Sequence, residues 1–313
     1  KTPEMNLLLS QHTDEDYADY FLRKLGRNFI IVGNNFDDVY YFNERSSRWE
    51  LHTDNIIYEI LGSRVYMALC DEINKCCVSI SQADEKAKYN KQILKLRNRF
   101  TRKGIVADIK GKIYRRDDPF DEDPYLIGFN NGVYNLKEGT FRAGRYDDYI
   151  TKTTGYNYEL PHKETIDITT EFINKIAPVA DERDVLLEGL ATGLAGILIT
   201  RFYILPGAGG NGKDVLIGGL YKSVIGGDYF EQSSNTILTE KGRGTLDQGL
   251  ANLHKKRAIL WSEPPPSSLI NGARMKEITG CEEISARALY SKNTRTKMNG
   301  TCFVQCNAIP KID

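Results

Sequence analysis

The chain has no Cys-x-x-Cys pair, no net charge at neutral pH, and no unbroken apolar run approaching the roughly 20 residues of a membrane span. Each absence excludes something. Six cysteines are present, but Cys76 and Cys77 are adjacent, and Cys302 and Cys306 share one apolar run. That spacing fits no zinc pattern, so the thiols read as packing residues of a reducing, intracellular compartment. No signal-peptide pattern precedes the first charged helix. The first residue is Lys1, and Asp313 falls a few residues past an apolar run, so an excerpt of a longer chain is expected.

What is present is unevenly distributed. From residue 201 onward there are fifteen Lys/Arg against ten Asp/Glu, and the preceding 200 residues carry the matching acidic excess. A basic half beside an acidic half points weakly to a polyanionic partner for the basic half. At 313 residues the chain is long enough for two cores.

The opening stretch is mixed α and β. Thr13 precedes an acidic first turn and a helix ending in Arg23 and Lys24. Phe29-Ile-Ile-Val-Gly33 reads as a strand, Val39–Phe42 and Ser47–Leu51 as a hairpin, and residues 54–79 as helical. Residues 85–103 carry Lys86, Lys88, Lys91, Lys95, Arg97, Arg99, Arg102 and Lys103 around an apolar stripe of Ile93, Leu94, Leu96 and Phe100. This is either a helix for nucleic-acid phosphates or a solvated surface helix, and the acids that soon follow favour the second. Arg115–Pro124 is an acidic turn, and Tyr125–Arg142 reads as three short strands joined by turns at Asn131-Gly132 and Lys137-Glu-Gly139, a scaffold element. Residues 165–200 have helical spacing on both sides of Pro178. The expected organisation is an α+β N-terminal domain over 1–160, a helical connector over 161–200, and an α/β nucleotide-binding domain over 201–313.

The informative stretch is Leu205-Pro-Gly-Ala-Gly-Gly-Asn-Gly-Lys-Asp-Val-Leu216. It follows a strand pattern and precedes a helical one, and Gly207, Ala208, Gly209, Gly210, Asn211, Gly212 and Lys213 match the phosphate-loop spacing G-x-x-x-x-G-K. Glycines let backbone N–H groups turn toward a triphosphate, the following helix start adds a positive dipole end, and Lys213 reaches the outer phosphates. Asp214 stands where Ser or Thr is usual, followed by Val215. Some fifty residues on, Lys256-Arg-Ala-Ile-Leu-Trp-Ser-Glu263 is a buried strand ending in a carboxylate. Glu263 there could polarise a water or help hold Mg²⁺. Such strands usually end Asp-Glu, and here Ser262 takes the first place. Thr301–Pro310 is a third buried strand, ending in Asn307, whose amide could bond a γ-phosphate or the water. Between them, two β-like flanks enclose Ser291–Thr294, a candidate hairpin with Lys292, Arg295 and Lys297 as a basic grip for a nucleic-acid backbone.

Together these residues resemble the superfamily 3 helicases, and within them the primase-helicases of large DNA viruses of the poxvirus type. The points of resemblance are Gly207–Lys213, Trp261-Ser-Glu-Pro264, Asn271–Gly280 with Ile284-Ser-Ala-Arg287, and Asn307-Ala-Ile-Pro310, in the family's order. Phe129–Leu136 and Asp147–Gly155 resemble that family's own N-terminal domain. The resemblance implies an AAA+-type P-loop NTPase with a parallel central sheet, incomplete at its C-terminal end. It implies an ATP- and Mg²⁺-using ring, usually a hexamer, that draws in single-stranded DNA or a forked duplex and meets replication proteins such as a polymerase or processivity factor. In such rings Lys213 binds phosphate, Glu263 activates water, Asn307 senses the γ-phosphate, and Lys292, Arg295 and Lys297 follow the strand. Asp214 with Glu263 would serve the metal. An arginine acting on a neighbour's site is expected past Asp313, with Arg274 and Arg287 as the candidates inside the chain, and any primase upstream of Lys1. The site of action would be the host cytoplasm or the viral replication site. Two other readings use the same loop: a small-molecule kinase, and a weakened ATP-binding module that docks partners.

Overall fold

The computed structural model describes residues 2–33, 35–239, 246–265, 269–280, 283–286, 294–297 and 299–313. Two compact units emerge, the first made of Lys1–Phe120 with Arg145–Tyr149, the second of Asp121–Gly144 with Ile150–Asp313.

The first unit begins with α1 (Pro3–Leu8) and α2 (Asp14–Leu25). Thr13 caps α2 as the charge pattern predicts, its Oγ1 accepting from the Asp16 N–H while the Asp16 carboxylate accepts from the Thr13 N–H. Strands β1 (Phe29–Val32), β2 (Asp38–Asn43) and β3 (Arg48–Thr53) follow, then α3 (Asn55–Ile60). That helix continues through a π-helical turn, Leu61–Val65, into α4 (Tyr66–Cys76). Next come α5 (Ala83–Ile93), α6 (Arg99–Ile113) and the short β4 (Tyr114–Arg115). The sheet order is β3-β2-β1-β4, antiparallel except for β1 beside β4.

Alternation along β1 separates two cores. Phe29 and Ile31 join the helices, packing with Tyr17, Phe21, Leu69 and Ile105. Ile30 faces the other way, into a cluster with Phe42, Trp49 and Phe120. Residues 145–149 complete that second cluster: the Trp49 indole N–H donates to the Tyr146 carbonyl at 2.8 Å, and Tyr149 stacks on Trp49 at 6.2 Å.

The second unit opens with an antiparallel sheet of β5 (Leu126–Phe129), β6 (Gly132–Asn135) and β7 (Thr140–Arg142). Two helices follow, α7 (Lys163–Ile176) and α8 (Ala180–Ala195). Helical spacing extends to residue 200, but Gly196 takes a left-handed φ of 60° and ends α8. Beyond it lie β8 (Phe202–Pro206), a π-helical segment Val215–Tyr221 leading into α9 (Lys222–Ile225), and β9 (Phe230–Gln232). Then come α10 (Thr236–Thr239), α11 (Leu246–Ala251), β10 (Ala258–Ser262), β11 (Leu269–Ile270) and α12 (Gly272–Thr279). The chain finishes with β12 (Glu283–Ala286), β13 (Thr294–Lys297), β14 (Thr301–Cys306) and β15 (Lys311–Ile312).

Strands β8, β14, β10 and β9 form one sheet in that order, every pair parallel. All six residues of β14 are buried, as both faces of a central parallel strand must be. Leu260 and Phe303 face a core with Leu186, Ile217 and Tyr221, whereas Ile259, Trp261, Cys302 and Val304 face Ile237, Leu253 and Ile278. Among the described residues no helix is long and apolar enough to cross a membrane.

The division differs from the expected border near 160–200. Strands β5–β7 and both connector helices belong to the second unit, and the bonds that put them there cannot be read locally. The Tyr229 hydroxyl accepts from the Gly128 N–H at 3.0 Å and donates to the Lys152 carbonyl at 3.2 Å. Buried Arg257 donates to the carbonyls of Pro124 at 3.0 Å, Leu194 at 2.9 Å, and Leu126. From α7 and α8, Ile173, Ile176, Leu190 and Leu194 pack on the same core.

The Lys152 ammonium donates to the carbonyls of His254 and Lys255. Burial, then the charges of Lys256, Arg257 and Lys255 against the opposing pull of Asp121, lower its pKa to about 8. Between that value and the roughly 10.4 of an unfolded lysine, only the unfolded chain keeps the proton, so this group adds stability as pH rises. The unfolding free energy of the wild type relative to Lys152→Met is therefore expected to rise by about 2 kcal/mol from pH 8 to pH 10 in paired denaturant titrations. A flat difference would show that the ammonium is not desolvated.

Candidate functional site

Parallel strands end on one edge, and three neighbours in this sheet carry the polar residues that the sequence singled out. β14 lies between β8 and β10, with Cys306 opposite Pro206 and Gln305 opposite both Leu205 and Ser262. The residues just past those ends are Gly207 after β8, Asn307 after β14 and Glu263 after β10.

The glycine loop leaves β8 with one more ladder bond, from the Gly207 N–H to the Cys306 carbonyl at 3.1 Å. A Cβ at 207 would lie 2.0 Å from the amide nitrogen of Asn211, an exposed side chain that would have to turn away. Gly210 and Gly212 hold φ of 84° and 83°, the left-handed region that glycine enters without strain. Around Gly209 and Gly210 a Cβ would meet nothing within 4 Å, so the outer side of the loop is open. Ala208 and Asn211 are also exposed. The helix then starts, with the Leu216 N–H on the Gly212 carbonyl at 2.9 Å, and Asp214 and Val215 facing outward.

Lys213 is buried, 6 % exposed, and its ammonium donates to the Gly207 carbonyl at 2.9 Å and to Asn307 Oδ1 at 3.2 Å. The other end of the Asn307 amide donates from Nδ2 to Glu263 Oε2 at 2.9 Å. Lys213, Asn307 and Glu263 thus form one continuous line of hydrogen bonds across three strands, linking a cation to a carboxylate through a neutral amide. Burial, and then the Glu263 carboxylate, push the Cys306 thiol above its usual range.

Glu263 has a left-handed backbone, φ 50°, fixed by its N–H on the Gln305 carbonyl at 2.9 Å. For a non-glycine residue this is strained, and strain of this kind gathers where a side chain must be aimed. Ser262, at the place where a first acid is usual, instead donates to Gln305 Oε1 at 3.3 Å and ties β10 to β14.

The structure leaves Asp214 exposed beside this line rather than within it. Arg295 and Lys297 lie on β13, paired antiparallel with Ser285 and Glu283 of β12, and Thr294, expected in the tip, is instead the first residue of β13. Lys292 and Arg287 fall outside the described residues. Sequence reasoning missed the wall of the site. A cavity of about 790 Å³ runs beside β8, lined by Leu205, Asn211, Lys213 and Leu216 and by Ile176, Asp181 and Val185 of α7 and α8. The apolar spacing of those helices is visible in the sequence, which by itself reads only as a connector.

Comparison with known proteins places the chain. Residues 18–178, about half of it, match the domain family described as D5 N terminal like. A putative helicase of Acanthamoeba polyphaga mimivirus is 36% identical over 245 residues, which is 73% of this chain and 25% of that protein. The chain belongs to the poxvirus-type primase-helicase family of large DNA viruses. Further family members are an uncoating factor of vaccinia virus, 27% identical over 93% of this chain and 36% of its own length, and primase D5 of fowlpox virus, 29% identical over 62% and 26%. The chain spans about a quarter to a third of these relatives. Among solved structures, the apo A form of the NrS-1 C terminal region aligns over 94% of this chain and 57% of its own, with a TM-score of 0.48 and 11% identity.

The strained backbone gives this family member a direct test. Glu263→Gly removes the carboxylate and frees the left-handed position, so it is expected to raise thermal stability by about 1 kcal/mol. A lowered melting temperature would show that the Asn307 contact outweighs the strain.

Proposed function

We propose that this chain contains the ATP-hydrolysing core of a DNA helicase, an AAA+-type P-loop ATPase of superfamily 3, working within a viral primase-helicase. The observation that carries this is the line Lys213–Asn307–Glu263, set just after a glycine loop at the C-terminal edge of a parallel sheet. Helicase and primase are also the names of the chain's relatives.

Each residue has a role that its contacts allow. The Lys213 ammonium now rests on two neutral oxygens, and a phosphate oxygen displaces them because a charged acceptor bonds an ammonium more strongly. Gly207, Ala208, Gly209, Gly210, Asn211 and Gly212 form the backbone rim for the phosphates, and the helix start at Lys213, Asp214 and Val215 adds its positive end. The mostly apolar cavity beside β8 suits a base and ribose. Glu263, aimed by its strained backbone, takes a proton from the attacking water. Asn307 bonds Lys213 and Glu263 at once, so a γ-phosphate arriving on the lysine is felt at the carboxylate within one side chain.

Among the described residues no group of three or more His, Cys, Asp or Glu could hold a metal. A Mg²⁺ carried by a triphosphate draws most ligands from phosphate and water and needs only one or two carboxylates, which Asp214 and Glu263 can provide. Once bound there, the ion would neutralise charge building on the phosphates. Hydrolysis would drive single-stranded DNA, or the strand of a fork, past Lys292, Arg295 and Lys297 in a ring, a hexamer by family resemblance. Polymerase or processivity factors would be the neighbours, at the site of viral replication in the host cell.

In the intact protein, Lys213→Ala is expected to lower DNA-stimulated ATP hydrolysis by at least about a hundredfold, since it removes the charged phosphate contact. Turnover kept within a few-fold would rule out the loop. Phosphate transfer to a small acceptor, without stimulation by DNA, would replace the helicase by a kinase. Asp214→Ser is expected to change the Mg²⁺ and Mn²⁺ dependence of hydrolysis, and identical metal titrations would remove Asp214 from the metal shell.

A further inference from the structure

The basic stretch 85–103 divides in two. Lys95 is engaged inside its own unit: its ammonium reaches the His12 carbonyl at 2.6 Å and Asp14 Oδ1 at 3.3 Å, and lies 4.4 Å over the Tyr17 ring. Arg97, Arg99 and Arg102 are held differently. They gather where the 3₁₀ turn Leu94–Arg97 meets α6, close enough that, after burial, the charges of Arg99 and Arg97 lower the pKa of Arg102. Their acceptors are all neutral: Gly62 O for Arg97 at 3.4 Å, Asn55 Oδ1 for Arg99 at 3.0 Å, and Tyr58 O for Arg102. Among the described residues none of the three pairs with a carboxylate. Arg99 and Arg102 lie 5.1 and 5.9 Å over the Tyr58 ring, and Arg97 lies 5.3 Å over Tyr66.

Three guanidinium groups held together without counter-charge repel one another, and a polyanion relieves that cost by supplying charge and releasing counterions. Exposed aromatic rings accompany them in the same unit. Phe100, next to Arg99, is 89 % exposed. The exposed rings of Phe36 and Tyr114 stack at 4.8 Å. Tyr58, which carries two of the arginines on its face, also lines a groove of about 400 Å³ with Phe36, Lys103 and Lys110. The acids of that groove, Asp37 and Asp54, are both held by Lys110, at 2.6 and 3.1 Å.

We propose that this face of the first unit is a nucleic-acid surface in its own right, separate from the glycine loop and from the β12–β13 hairpin. Arg97 and Arg99 take backbone phosphates, and Phe100 and Phe36 stack bases. The partner is single-stranded, because exposed ring faces are useful only to bases not already stacked in a duplex. The arginines make the contact tight and salt-dependent, whereas sequence preference stays low. Arg102, half-buried on the Tyr58 carbonyl, is a positioning residue that sets the guanidinium row.

The test is anisotropy of a labelled oligothymidine with the whole 313-residue chain, titrated at several salt concentrations, with a duplex of equal length in parallel. Arg97→Gln with Arg99→Gln is expected to weaken binding at least about tenfold and to reduce the slope of log affinity against log salt by about 1.4, or about 0.7 per lost phosphate contact. Phe100→Ala is expected to weaken the single strand at least about fivefold and the duplex not at all. Unchanged affinity and slope in the arginine variant, with an unchanged melting curve, would overturn the surface. So would equal losses for both DNAs in Phe100→Ala, or tighter binding of an acidic peptide than of the oligothymidine at matched salt.

Discussion

Parallel pairing is the constraint from which the site follows. When neighbouring strands run the same way, whatever lies just beyond their ends shares one edge, however far apart in sequence the strands are. In this chain β14 is inserted between β8 and β10, although it is the last of the three to be made. The insertion puts a short amide, Asn307, between a lysine that follows β8 through the glycine loop and a glutamate that follows β10. If β8 paired directly with β10, the cation and the carboxylate would meet as a simple ion pair. With Asn307 between them, each keeps its charge available to something else.

The same economy governs what stands behind the edge. Ser262 spends no charge, tying its strand to Gln305, and leaves Glu263 as the sole carboxylate at the end of β10. The sharp left-handed turn at Glu263 is compatible with that arrangement because its N–H is still satisfied, by the Gln305 carbonyl. On the other flank, α7 presses Ile176 against Gly212, where an added Cβ would lie 3.2 Å from it, so the helix fixes the loop's last glycine from outside. A stretch that looks like a spacer is therefore one wall of the site.

Much of this was legible in the sequence, and the parts that were not share a cause. The loop, the carboxylate after β10, the amide after β14 and the paired flanks of the hairpin are local patterns: a run of glycines, or an apolar strand closed by one polar residue. The Thr13 cap and the alternation in β1 are equally local. The assignment of β5–β7 is not. Gly128 meets Tyr229 across 101 residues and Leu126 meets Arg257 across 131, and neither tyrosine nor arginine announces a buried backbone partner by its type. The return of residues 145–149 to the first unit is distant in the same way, since its contacts are to Trp49, Phe120 and Arg115, far back in the chain. In the basic stretch 85–103, composition could not divide a paired lysine from unpaired arginines, because the division depends on which acids lie across the fold.

The brief return at Arg145–Tyr149 has a consequence for how the protein is made. The first unit cannot close its aromatic cluster on Trp49 until those residues have been synthesised. By then β5, β6 and β7 already exist, with their partners Tyr229 and Arg257 still to come. On the ribosome the small sheet must wait, its strand edges uncovered, for roughly the next hundred residues, some 5–20 seconds at ordinary elongation rates. The interleaving therefore sets a timetable: the first unit matures early, and the second becomes whole only after the glycine loop and the strands around it have been added.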